Sequence, residues 1–195
     1  MRANIQKLLK FFHLCEQLKI EKRHGKTSDN KHDRVASHSW RLAIMVMFLS
    51  PFLKKEFDLV KALKISIIHD LAEILTGDQA YFHHAFDTKA KKQKQQKEEK
   101  AMLQLMKYLP IDNQKELKNL WLDYEQQTSY EAKIVKALDK AEAQMQHNEA
   151  HISIWNDFDK AHYASYLDSY CNFDQTLTLL KELIQNESKE KLRNS

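Results

Sequence analysis

The chain has 195 residues, 43 % of them hydrophobic, enough to bury a sizeable core in one domain. With 31 basic and 27 acidic residues it carries a formal charge of +4, compatible with an anionic small substrate but too small an excess for a dedicated nucleic-acid binder. Only two Gly and two Pro leave little turn chemistry for a β protein, and the two isolated cysteines, Cys15 and Cys171, make no CxxC and no disulfide framework, so an all-α, cytoplasmic protein is expected.

Residues 4–20 carry Leu8, Phe11, Phe12, Cys15 and Leu18 on one stripe and read as an amphipathic helix. Basic residues are mixed through this segment, which fits neither a signal peptide nor a membrane span, and no uncharged apolar run elsewhere reaches spanning length. Residues 21–33 are polar, with Gly25, Ser28, Asp29 and Asn30, and read as a loop. A second helix runs from about Ser37 to Ser50, before Pro51, with His38, Leu42, Met45 and Leu49 on one face. Asp58 caps a third, which the pattern carries to about Thr76 with Leu59, Ala62, Leu63, Ile67 and Leu71 toward the core and Gly77 as its stop.

Residues 77–90 have no clear period and read as a loop carrying Asp78, Tyr81, Phe82, His83 and His84. A helix from about Thr88 to Tyr108 follows, polar from Lys89 to Lys100 and apolar at Met102, Leu105 and Met106. The lysine run has no interleaved aromatics and is diluted by Glu98 and Glu99, so it reads as a solvated face rather than a nucleic-acid track. Asp112 or Asn113 opens a helix through Trp121 to about Glu125, and Ser129 opens another, with Ile134, Val135, Leu138 and Met145 as its stripe. Trp121, Tyr124 and Trp155 read as core or subunit interface. A terminal helix over 172–185 uses Phe173, Leu177, Leu180 and Ile184, and residues 186–195 read as a disordered tail. The whole is expected to be a single domain with a core over about 8–150 and a helical extension over 151–185.

Two imidazoles and two carboxylates, His38, His69, Asp70 and Asp139, form a closed donor set for one divalent ion. Mixed nitrogen and oxygen donors suit Mn, Fe, Co, Ni or Zn better than an all-oxygen Ca or Mg cage. The plainer alternatives are a buried His38 that donates a hydrogen bond and an Asp139 that pairs with Lys136 or Lys140. Glu73 is one turn after His69, where a carboxylate could take or give a proton; alternatively it pairs with Lys64. Asp78 either caps a turn or projects into the site as a second acid or base.

The string Arg34-Val35 … His38, His69-Asp70-Leu71-Ala72-Glu73, Thr76-Gly77-Asp78 and Leu138-Asp139 resembles the HD-domain metal-dependent phosphohydrolases, and within them the 5′-deoxynucleotidases. The resemblance runs from about residue 8 to 150 and includes Glu131-Ala132-Lys133-Ile134-Val135-Lys136, which ligation does not require. It implies an all-α HD-domain helical bundle in which His38, His69, Asp70 and Asp139 bind one divalent metal ion (Mn, Co, Fe, Ni, Zn or Mg). It also implies Glu73 and Asp78 as residues that handle protons or hold an additional ion's water shell, Arg23 on the substrate phosphate, His24 and Gln79 at the substrate, and a homodimer. The expected reaction is hydrolysis of (deoxy)nucleoside 5′-monophosphates to nucleoside and phosphate. Two departures stand out: His24 replaces the Trp that bacterial relatives place after this Arg, and residues 79–84 lack the relatives' proline. The alternatives are an HD hydrolase of a triphosphate, cyclic or signalling nucleotide, and a metal- or nucleotide-binding module without turnover.

Overall fold

The computed structural model describes residues 1–79 and 87–195. The expectations placed on Tyr81, Phe82, His83 and His84 lie outside the described residues. The architecture is all-α with, among the described residues, one two-stranded antiparallel hairpin. Helix α1 (Arg2–Cys15) and the short α2 (Gln17–Ile20) lead into β1 (Lys22–Lys26) and β2 (His32–Arg34). Then come α3 (Val35–Leu49), α4 (Leu59–Ile68), α5 (Glu73–Thr76), α6 (Thr88–Met106), α7 (Ile111–Gln126) and α8 (Tyr130–Glu149). After these lie α9 (Asp157–His162), α10 (Asp168–Cys171) and α11 (Gln175–Arg193).

Helix α8 is the central element, packed against α3, α4 and α11. Its Ile134, Val135 and Leu138 meet Leu42 and Val46 of α3, Ala62 and Ile65 of α4, and Leu177 and Ile184 of α11 in one buried cluster. Each Leu or Ile fully withdrawn from water contributes roughly 1.5–3 kcal/mol, so this cluster holds the helices that carry the site. A second cluster joins Phe11, Leu18, Val35, Leu71, Ile74, Met102, Leu105 and Trp121. Trp121 and Trp155 are core residues, as expected.

Local chemistry sets the boundaries. Asp58 caps α4 by accepting from the Lys61 amide, and Ser129 caps α8 by accepting from Ala132. Pro110, rather than Asp112 or Asn113, stands at the start of α7, which leaves Asp112 in the first turn. The expected loop at 21–33 contains the hairpin. Its strands have no apolar alternation to betray them, whereas its turn is legible: Asn30 adopts φ 65°, and Thr27 and Lys31 close it by hydrogen bonds to Asp29.

The single helix expected over 58–76 is broken into α4 and α5. The Ser66 carbonyl, which a continuing helix would offer to the Asp70 amide, instead accepts from His69 Nδ1 at 2.9 Å. Bonds of the tighter i−3 type follow, Leu71 to Ile68 and Glu73 to Asp70, so the phase of the helix shifts at His69-Asp70. Ile67, expected in the core, is 58 % exposed. Gly77 stops α5 as expected, at φ 69°. The terminal helix outlasts its apolar stripe: residues 186–193 are helical, and Ser188 is fully buried, bonded to Gln144 and Asn148 of α8.

Candidate active site

The broken helix, the hairpin and α8 converge on one cavity. His38 comes from α3, His69 and Asp70 from the turn after α4, Asp139 from α8. One donor atom each of His38, His69 and Asp139 lies within 4.8 Å of the others, and all three residues are buried. His38 Nε2 is 3.2 Å from Asp139 Oδ1 and 3.9 Å from Asp70 Oδ2; His69 Nε2 is 3.0 Å from Asp70 Oδ2. In a regular helix His69 and Asp70 would point about 100° apart. The tightened turn brings them to one centre.

Both imidazoles are prepared as ligands through their other nitrogen. His69 Nδ1 donates to the Ser66 carbonyl, and His38 Nδ1 to the Glu142 carboxylate. Each Nε2 is thereby left with its lone pair toward the cluster, the usual arrangement around a metal-bound histidine. Both Nε2 atoms are buried and make no well-directed hydrogen bond, despite the nearby carboxylates. Two orphaned buried nitrogens beside two carboxylates fit a divalent cation in chemistry and in charge. With no cation bound, burial and the Arg23 charge oppose protonation of His38, yet the Glu142 and Asp139 carboxylates outweigh them and draw it up to about 9, so a cation would take the place of a proton on Nε2. Burial would raise Asp139, but the Lys140 ammonium and both imidazoles hold it well below the usual carboxylate range.

The rest of the expected set borders the same space: Arg23, His24, Glu73, Asp78 and Gln79 line the cavity with His69, Asp70 and Asp139, while His38 stands fully buried behind them. Arg23 lies on β1, with Nε 3.7 Å from the buried Asp33 of β2 and Nη1 3.7 Å from Asp70 Oδ2. The hairpin therefore turns what looks in sequence like a solvated loop charge into a fixed guanidinium. Glu73 is 5 % exposed, its Oε2 has no partner, and it does not pair with Lys64, which binds Glu116. Burial, reinforced by Asp70 and Asp78, pushes the Glu73 carboxyl well up. Asp78 is also raised by burial and by Asp70, against the pull of Arg23. Its position follows from Glu21, whose Oε1 accepts from the Asp78 amide at 3.3 Å and lies 3.3 Å from where a Cβ on Gly77 would stand.

Several residues at the site escaped the sequence reading. Glu142 is 1 % exposed and links His38 to Arg41, whose Nε donates to it at 2.7 Å. Its spacing from Asp139, three residues on the same helix, was the available signal. Tyr124 donates to Asp139 Oδ2 at 2.8 Å, so it is both core and site. Lys140 Nζ is 3.0 Å from the same oxygen: the pairing weighed against ligation coexists with the cluster. Lys94, inside the polar run of α6, and Lys136 also line the cavity; nothing in the run distinguishes Lys94 from its neighbours.

The HD domain family model matches residues 15–179. A protein named 5′-deoxynucleotidase HDDC2 from Bos taurus is 39 % identical over 145 residues, spanning 73 % of this chain and 67 % of that one. Its Homo sapiens counterpart is 38 % identical over 145 residues, with the same two shares. A solved structure from Magnetospirillum magnetotacticum, described as a predicted metal-dependent phosphohydrolase, superposes with a TM-score of 0.79 over 98 % of this chain and 96 % of that one; at 22 % identity it speaks for the fold alone. Motif order, helical architecture and family match agree, and the chain belongs to the HD domain family.

Proposed function

We propose that this chain is a metal-dependent phosphomonoesterase that hydrolyses deoxyribonucleoside 5′-monophosphates to nucleoside and phosphate. The observation that carries the proposal is the pair of orphaned imidazole nitrogens beside Asp70 and Asp139, in a cavity that also presents Arg23 and Glu73. The relatives named 5′-deoxynucleotidase support the substrate class. His38, His69, Asp70 and Asp139 would hold the cation, which when bound polarises phosphate and lowers the pKa of water.

The chain's own residues do the rest. Arg23, anchored by Asp33, meets the phosphate oxygens and neutralises the charge that builds on them. Glu73, buried and without a partner for Oε2, handles the proton of the attacking water or of the departing 5′ oxygen. Asp78 stands beside it as a second carboxylate. Lys94, Lys136 and Lys140 supply a positive surround for a dianionic substrate. His24 and Gln79, both exposed at the cavity, border the nucleoside end.

A single HD domain spans the chain in this proposal, and it works as a cytoplasmic homodimer. Both cysteines are free thiols. Trp40 and Phe48 of α3, 66 % and 65 % exposed, form with Met47 an apolar face of the kind a second copy would cover.

A phosphate-release screen tests the function. Deoxynucleoside 5′-monophosphates are expected to release phosphate with Mn, Co, Mg or Zn, and a chelator to stop it. Silence across the panel, or release only from triphosphates or cyclic nucleotides, would sink the proposal. Arg23→Ala should lower kcat/KM by roughly 10–100-fold, the worth of one charge-assisted contact, mainly through KM. Unchanged kinetics would return Arg23 to a solvated hairpin.

A further inference from the structure

His24, His147 and Asp159 form a second group of donors, separate from the one already described, on the wall of the same cavity. One donor atom from each lies within 4.8 Å of the other two. They come from the hairpin strand β1 and, far along the chain, the successive helices α8 and α9. His147 has the same preparation as His38 and His69. Its Nδ1 donates to the Ala143 carbonyl at 2.8 Å, which leaves the lone pair on Nε2. That Nε2 is buried and makes no hydrogen bond. Asp159 Oδ2 stands 3.8 Å away, too far for a hydrogen bond. First-row ions bind nitrogen and oxygen donors at about 2.0–2.2 Å, so two donors of one ion stand about 3–4 Å apart. The 3.8 Å gap is the right width for an ion between them.

Asp159 is oriented as well. Its Oδ2 accepts from the Asn156 amide at 3.0 Å in a capping box, and the Asn156 side chain accepts from the Asp159 amide. The His147 backbone is held by Trp155, whose Nε1 donates to the His147 carbonyl at 2.9 Å. Outer hydrogen bonds that fix both the ring and the carboxylate are what a built ligand set requires and what an incidental surface pair lacks. The His24 ring lies 6.0 Å from that of His147 and completes the set.

We infer that His24, His147 and Asp159 form a second divalent-cation site, suited to Zn, Co or Ni. Two imidazoles and a carboxylate are borderline donors that select these ions over Mg or Ca. Three protein ligands leave at least one position open, and this one opens on the cavity. Occupied, the site ties the hairpin to α8 and α9. It shares His24 and the cavity with the proposed reaction, so ion binding is measured apart from turnover.

The test is ion binding to the 195-residue chain, followed by equilibrium dialysis with Zn and by the visible absorption of bound Co. One bound ion should survive Asp139→Asn, which disables the first group. The same ion should be lost from His147→Gln and from Asp159→Asn, with a thermal midpoint in the absence of metal within a few degrees of the parent. Asp159→Asn keeps an oxygen for the capping amide, so it separates loss of ligation from loss of fold. An Asp139→Asn protein that binds no ion, or retention of that ion by either of the other two variants, overturns the inference.

Discussion

Asp139→Asn is expected to abolish cation binding at the His38–His69 cluster and to lower turnover by more than the roughly 100-fold that loss of an outer partner of a metal ligand typically costs. Asp139 supplies the carboxylate nearest His38 Nε2, at 3.2 Å. It is also the oxygen partner of Lys140 and of the Tyr124 hydroxyl. The isosteric amide keeps an oxygen for Tyr124 but removes the charge, so Lys140 loses its carboxylate in a half-dry setting. Removing one member of a buried pair costs about 3–5 kcal/mol, and the partial exposure of Lys140 places this case at the low end. The two effects separate experimentally. Calorimetric titration with Mn or Co reports the ion, and urea unfolding of the metal-free protein reports the stability. Undiminished ion binding at the cluster with undiminished turnover would remove Asp139 from the ligand set and return it to the salt-bridge alternative.

What could be read in the sequence, and what could not, divides along physical lines. Helices α3, α4, α8 and α11 announce themselves because their apolar faces repeat at the helical period, and the caps Asp58 and Ser129 stand where their side chains are needed. The grouping of His38, His69, Asp70 and Asp139 was what the family resemblance implied, since no local pattern places residues so far apart in the chain together. The break after Ile68 was not legible. It accompanies the His69 ring's capture of a backbone carbonyl, which is invisible to periodicity, and it sets the directions in which His69 and Asp70 project. The hairpin was hidden for the opposite reason: Lys22 to Lys26 is polar throughout, its pairing secured by long-range contacts such as Gln146 Nε2 to the Lys26 carbonyl at 2.7 Å. That hidden strand decides the meaning of Arg23, which local sequence assigns to solvent and tertiary pairing assigns to the cavity. Glu142 and Tyr124 were missed because each acts through another residue. One orients His38 and the other bonds Asp139, and the one trace in the sequence was Glu142's place three residues after Asp139 on the same helix.

Glu73→Gln is expected to keep the cation and the fold while turnover falls about 10²–10⁴-fold, the usual worth of a positioned acid or base. Glu73 opens α5, immediately after the tightened turn, and its side chain is carried into the cavity one turn beyond His69. At 5 % exposure, with Oε2 unpartnered, the carboxyl gains nothing for stability that would explain its burial. A neutral amide of the same shape is therefore tolerated, and the metal-free variant should be as stable as the parent or more so. KM should change little, because Arg23 and the cation-binding cluster still grip the phosphate; the loss belongs in kcat. Metal stoichiometry by calorimetry, measured alongside kcat, distinguishes a lost proton carrier from a lost ligand. Full turnover in Glu73→Gln would transfer the role to Asp78, a second raised carboxyl on the cavity wall, and Asp78→Asn would then have to show the deficit. Asp78 is held through its amide by Glu21, and its carboxylate accepts from the His24 amide; the isosteric amide of Asp78→Asn keeps an oxygen for that bond, so this second substitution leaves the turn at Gly77 intact.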